Sequence, residues 1–167
     1  MDLSNGYATP SPDNIIRIYL KSPQPEDTIG NMNNWLESVF VHEFTHILNM
    51  DKRYGFWRFI YIFTGRFIAF PNAIVPLWQL EGNAVYNESQ LENSGRLSSS
   101  LARMIVRTDF LAGNDRSLSE AANSHAGWPG GNIAYLYGAY FVNYMNSAYF
   151  EKGQFAEQFE INAHNIF

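Results

Sequence analysis

The 167-residue chain is predicted to be mostly α-helical, an α+β domain in which a small edge strand precedes a helical bundle. Three observations lead there. Apolar side chains recur at three- and four-residue intervals over most of the length, the period of one helix face. A single run, residues 14–21, instead strings β-branched and aromatic residues together. Hydrophobic residues make up 46% of the chain, enough for one domain with a real core, while its length is too short for two.

Residues 1–13 are polar and turn-rich, with Pro10 and Pro12, and are expected to form a flexible lead-in to a domain spanning 14–167. Asn14–Lys21 (NIIRIYLK) predicts one strand, ended by Pro23 and Pro25. From Asn34 onward Leu36, Phe40, Phe44, Ile47 and Leu48 keep the helical interval, with Asn33 or Asn34 available as the N-cap. Tyr54–Ile68 reads as a second helix, studded with aromatics and interrupted by Gly65. Pro76 stands ahead of a third, Leu77–Leu91, where its missing N–H removes no helical bond. A fourth helix, Leu97–Leu111, stops at Gly113. The turn Gly127–Gly131 (GWPGG) precedes a fifth, capped by Asn132 and running to Phe150, and a last helix begins near Gln154.

The fifth helix raises the question of a membrane span, because Ile133–Phe150 carries no charge over 18 residues. Five Tyr, two Asn and a Ser are spread around it, and each would need a partner in hydrocarbon, so it reads as a buried helix and no transmembrane segment is expected. Lys and Arg number 11 against 16 Asp and Glu, a net charge of −5, the wrong sign for holding nucleic acid. Charge at 16% and aromatics also at 16% exclude a disordered chain. With no Cys, disulfide scaffolds, iron–sulfur sites, zinc fingers and thiol nucleophiles are excluded, and any metal must use His, Asp or Glu. The first residues, MDLSNG, show no basic run before an apolar core, so no signal peptide is expected at this start.

Chemistry concentrates in His42-Glu43-Phe44-Thr45-His46, inside the first helix. Two His four residues apart share a face one turn apart, so both imidazoles can converge on one ion. Glu43 adjoins that face, within reach of a water on the ion. Zinc lowers the pKa of such a water, and a carboxylate can take its proton as it attacks a carbonyl. The bland alternative is a pair of solvated helix histidines.

A catalytic zinc site needs a third protein ligand. Trp78-Gln79-Leu80-Glu81-Gly82-Asn83-Ala84-Val85-Tyr86, with the pattern Trp-x-x-Glu-Gly-x-Ala-x-Tyr, resembles the second motif of zinc aminopeptidases. Together with the first motif, the chain resembles the gluzincin metallopeptidases, peptidase MA-like domains, over roughly Asn14–Phe150. The resemblance implies that Glu81 joins His42 and His46 as a zinc ligand, and that Gly82 and Ala84 let the two motif-bearing helices approach closely. An acidic residue one turn into an otherwise apolar helix supports the same role for Glu81, the alternative being an exposed carboxylate. It also implies an oxyanion-binding tyrosine in a Tyr-x-x-Gly run, which Tyr135-Leu136-Tyr137-Gly138 supplies. Tyr135 is the first choice and Tyr137 the second, with a plain core tyrosine as the alternative. His125 could serve instead, although its Ser-His-Ala-Gly loop suits a surface residue, and His164 has no comparable context.

The sequence departs from the family in two places. Between His46 and Glu81 lie 34 residues, more than the family carries, which marks an insertion around Tyr54–Phe70, expected mainly to pack in the core or else to wall the cleft. Gly30-Asn31-Met32-Asn33-Asn34 echoes the aminopeptidase amine-binding motif, but Asn33 stands where the acid belongs and the run lies too near the zinc helix, so the echo is read as accident, favouring an endopeptidase-like site or a lost specificity. By analogy, the strand at 14–21 would be the cleft's edge strand that pairs with extended peptide. The resemblance further implies a peptide or protein substrate, an extracytoplasmic bacterial location and attachment to a β-propeller in a longer protein. The competing function is a binding or scaffold module that keeps the fold and metal site without catalysis.

Overall fold

A computed structural model describes residues 6–24, 29, 34–65, 72–91, 95–114, 116–123, 127–151 and 153–164. Among them are seven α-helices and one two-stranded sheet, in keeping with a mostly α chain. β1 (Gly6–Thr9) pairs antiparallel with β2 (Ile15–Ile18), Gly6 opposite Ile18 and Thr9 opposite Ile15. Part of the expected flexible lead-in is therefore a strand. The intervening prolines act as the hairpin turn, and Gly6 lets β1 lie against α1, where a Cβ would crowd Val39 and Glu43.

α1 (Trp35–Asp51) starts at Asn34, whose side chain accepts a hydrogen bond from the Glu37 N–H at 3.3 Å. Its apolar stripe does not mark the buried face. Leu36, Phe40, Phe44 and Leu48 are exposed, while Ser38, Val39, His42, Glu43, Thr45, Ile47 and Asn49 turn inward. The helix packs through its polar side because that side carries groups with inward partners.

α2 (Gly55–Thr64) ends at Gly65, whose φ of 58° is open to glycine. No α2 residue is buried, which overturns core packing for this part of the aromatic insertion; residues 66–70 lie outside the described set. Among the described residues α2 lies along α7, and its apolar side chains stand both towards the protein and away from it.

α3 (Leu77–Glu88) begins directly after Pro76 and forms the central pair with α6 (Asn132–Ala148). The close approach carried by Gly82 is to α6, not to α1. A Cβ on Gly82 would strike the Gly138 backbone, and one on Gly138 would strike the Trp78 carbonyl. Around this pair Trp78, Tyr86, Ile133, Val142 and Phe155 form the core, with Phe141 and Phe159 edge-on to Trp78 at 5.3 and 5.9 Å. Each such side chain contributes about 1.5–3 kcal/mol on burial.

α4 (Ser100–Leu111) is capped by Ser99, and a 3₁₀ turn at Arg96–Ser98 precedes it where the sequence pattern had suggested continuous helix. α5 (Leu118–Ala121) was not expected from periodicity, being a single turn. Its signal is the capping box of Ser117 and Glu120. α6 ends at Ala148, and its N-cap is Gly131 rather than Asn132. α7 (Gln154–His164) lies on α6 through Phe155 and Phe159. None of the described helices is long and apolar enough to cross a membrane.

Candidate metal centre

α1 packs on α3, and that contact brings both motifs together. His42 Nε2 lies 3.2 Å from His46 Nε2 and 3.2 Å from Glu81 Oε2, and His46 Nε2 lies 3.3 Å from the same oxygen. Three ligand atoms thus form a nearly equilateral triangle. An ion bound tetrahedrally with bonds of about 2.0–2.1 Å spaces its ligands about 3.3–3.4 Å apart, so the triangle has the dimensions of one face of such a site. The group is able to hold a metal ion.

The ring tautomer follows from the neighbours. His42 Nδ1 is 2.9 Å from Glu88 Oε2, and a carboxylate only accepts, so Nδ1–H donates to Glu88 and the Nε2 lone pair turns to the triangle. Glu88 is 1% exposed and held in turn by Arg96, with Nε 2.8 Å from Oε1 and Nη2 2.9 Å from Oε2. Arg96 Nη2 is 3.2 Å from His42 Nδ1, the two donors sharing Glu88 Oε2. Burial by itself would raise the Glu88 carboxyl, but the Arg96 charge and the bonds from His42 and Arg96 hold it at about 2. Burial opposes Glu81 in the same way, and its close contacts with His42 and His46 keep it well below the usual carboxylate range. Two ionised acids therefore face two imidazoles. His42 is made less basic by burial and more basic by Glu81 and Glu88, with a net rise.

Glu43 is buried on the flank of this triangle, under Gly6 of β1. Burial raises its pKa against the opposing pull of His42 and His46, which makes it a better proton acceptor than an exposed glutamate. Tyr135, near the start of α6, stacks on His42 with ring centroids 6.0 Å apart, and the Arg96 guanidinium carbon lies 4.9 Å from the Tyr135 ring centroid. Burial, then the Glu81 charge, push its phenol up to about 12, so it remains an O–H donor across the neutral range.

Tyr137 is not brought to the site. Its hydroxyl donates to Asp109 Oδ2 at 2.7 Å, alongside Arg116 at 2.7 Å, and ties α6 to α4. His164 is also structural: Nδ1 donates to the Glu160 carbonyl at 2.7 Å, and its ring abuts Tyr54. His125 and residues 30–33 lie outside the described set. A groove of about 400 Å³ bounded by Thr45, Asn49, Asn83 and α7 opens on the other flank of α1 and includes none of the three ligands.

Sequence reasoning missed Glu88 and Arg96. Glu88 stands seven residues after Glu81, two turns along the same α3 face, and that spacing was the available signal. Arg96 carries none, since it approaches from the turn before α4. Comparison with known protein families, characterised proteins and solved structures finds no match to this chain.

Proposed function

We propose that this chain is a zinc-dependent peptidase in which His42, His46 and Glu81 hold the metal, Glu43 is the general base and Tyr135 steadies the oxyanion. The observation that carries the reading is the triangle of Nε2, Nε2 and Oε2 atoms with edges of 3.2–3.3 Å, flanked by a buried carboxylate that is not one of its corners. Nitrogen and carboxylate donors in a threefold set suit zinc with one position left open.

When bound there, zinc supplies Lewis acidity that brings the pKa of a water towards about 7. Glu43 takes the proton of the attacking water and returns it to the departing amine, a double role that its raised pKa favours. Tyr135 donates its O–H to the negative oxygen of the tetrahedral intermediate without ionising. Glu88 acts through His42, fixing the ring so that Nε2 points at the ligand position. β1, in place of the strand at 14–21 that the sequence suggested for this role, would align an extended substrate, because Gly6 brings its backbone beside Glu43. The sequence carries no counterpart of the aminopeptidase amine-binding acid, which favours cleavage within a chain.

The test is digestion of an unbiased peptide library by wild type and Glu43→Gln. The variant is expected to retain its metal and lose cleavage. Metal-loaded wild type that cuts nothing would support a non-catalytic binding module instead.

A further inference from the structure

We propose that the outward face of α2 docks on an anionic lipid surface, an interaction independent of the metal site and of any peptidase activity. α2 is arranged opposite to an ordinary surface helix. Phe56, Phe59, Ile62 and Phe63 are 60, 57, 73 and 74% exposed, while Trp57, Ile60, Tyr61 and Thr64 are the half-buried side. At 3.6 residues per turn the four exposed side chains share about a third of the circumference, with exposed Arg58 at its edge. They form one continuous strip, since Phe59 and Phe63 lie 5.1 Å apart edge to face.

That strip offers no hydrogen-bonding side chain, whereas the protein-binding surfaces of folded partners mix apolar anchors with polar groups. Hydrocarbon asks for none. The charge around it has the sign that lipid headgroups select. The whole chain is at −5, yet from Lys52 to Leu80 it holds Lys52, Arg53, Arg58 and Arg66 and no acid. Lys52 is engaged by Glu160 at 2.9 Å, and Arg53 reaches the Met50 and Lys52 carbonyls, so Arg58 is the described cation on the exposed side. An aromatic helix with an exposed cation at the edge of its apolar face, too short to span, is the pattern of an interfacial helix.

The test is flotation of the purified chain with phosphatidylcholine vesicles, with and without phosphatidylglycerol, at low and high salt. Wild type is expected to bind anionic vesicles about tenfold more than neutral ones, with binding reduced by salt. Phe59→Asp/Phe63→Asp should abolish binding and Arg58→Glu should reduce it. Because Arg58, Phe59 and Phe63 are exposed, both variants should melt as wild type does. A thermal melt checks this, and vesicle binding by Arg58→Glu decides the matter if the double variant fails to fold. Absence of binding, equal binding to neutral vesicles, or binding that survives the double variant would each overturn the proposal. So would a dimer that forms in place of vesicle binding and dissolves in the double variant, since the occupant would then be a second copy.

Discussion

Replacing Glu88 by Gln tests the support behind the metal centre without touching a ligand. Glu88 Oε1 receives Arg96 Nε at 2.8 Å, and Oε2 receives both His42 Nδ1 and Arg96 Nη2 at 2.9 Å. The amide keeps the shape, removes the charge and puts a donor where one of those oxygens accepts. Two losses follow. His42 loses the partner that orients it, and removal of such a partner weakens metal binding about 10–100-fold, or about 1.4–2.7 kcal/mol. Arg96, buried and stripped of its counter-charge, costs about 3–5 kcal/mol of stability. A competition titration with a chromogenic chelator measures the first, and urea unfolding of metal-free protein measures the second. Glu88→Gln/Arg96→Met separates them. Removing the stranded charge should restore most of the stability and leave metal binding weak. A folded Glu88→Gln protein that holds zinc as tightly as wild type would refute this reasoning.

Further predictions distinguish the two tyrosines, the helix crossing and the acid response. Tyr135→Phe should lower kcat about a hundredfold with little change in KM, as expected for an oxyanion donor, in steady-state peptide assays. Tyr137→Phe should leave kcat unchanged and cost about 1 kcal/mol in urea unfolding, because it strips one donor from buried Asp109. Gly138→Ala should destabilise by about 3 kcal/mol or more, since the new methyl meets the Trp78 carbonyl rather than a side chain able to move. Burial favours protonated Asp109, but hydrogen bonds from Arg116, Tyr137 and Asn114 outweigh it and hold the carboxyl below its ordinary 3.8. The stability from this site is therefore complete above pH 3.8 and is lost as pH falls below it; Asp109→Asn should flatten that part of a stability-against-pH curve.

The motifs were legible because their chemistry is local. Two His one turn apart share a helix face whatever surrounds the helix, and Pro76 and Asn34 announce where α3 and α1 begin. What the pattern could not convey was which face turns inward. The stripe Leu36, Phe40, Phe44, Leu48 obeys helical periodicity and still faces outward, because the polar side of α1 finds Glu81 and Glu88 across the interface. The Tyr-x-x-Gly run ranked Tyr135 ahead of Tyr137 but could not say where either points; a shift of two residues sends one to His42 and the other to Asp109. Arg96 and β1 reach the site only through the fold, one from a turn and the other through a short hairpin, so no spacing rule could find them.

Zinc stoichiometry by elemental analysis, on protein loaded with the metal and then dialysed, bears most directly on the central claim. One zinc per chain in wild type, lost in Glu81→Ala and in His46→Ala, is the predicted result. Wild-type protein that emerges without zinc, or ligand variants that retain it in full, would contradict the assignment of His42, His46 and Glu81 as the metal centre.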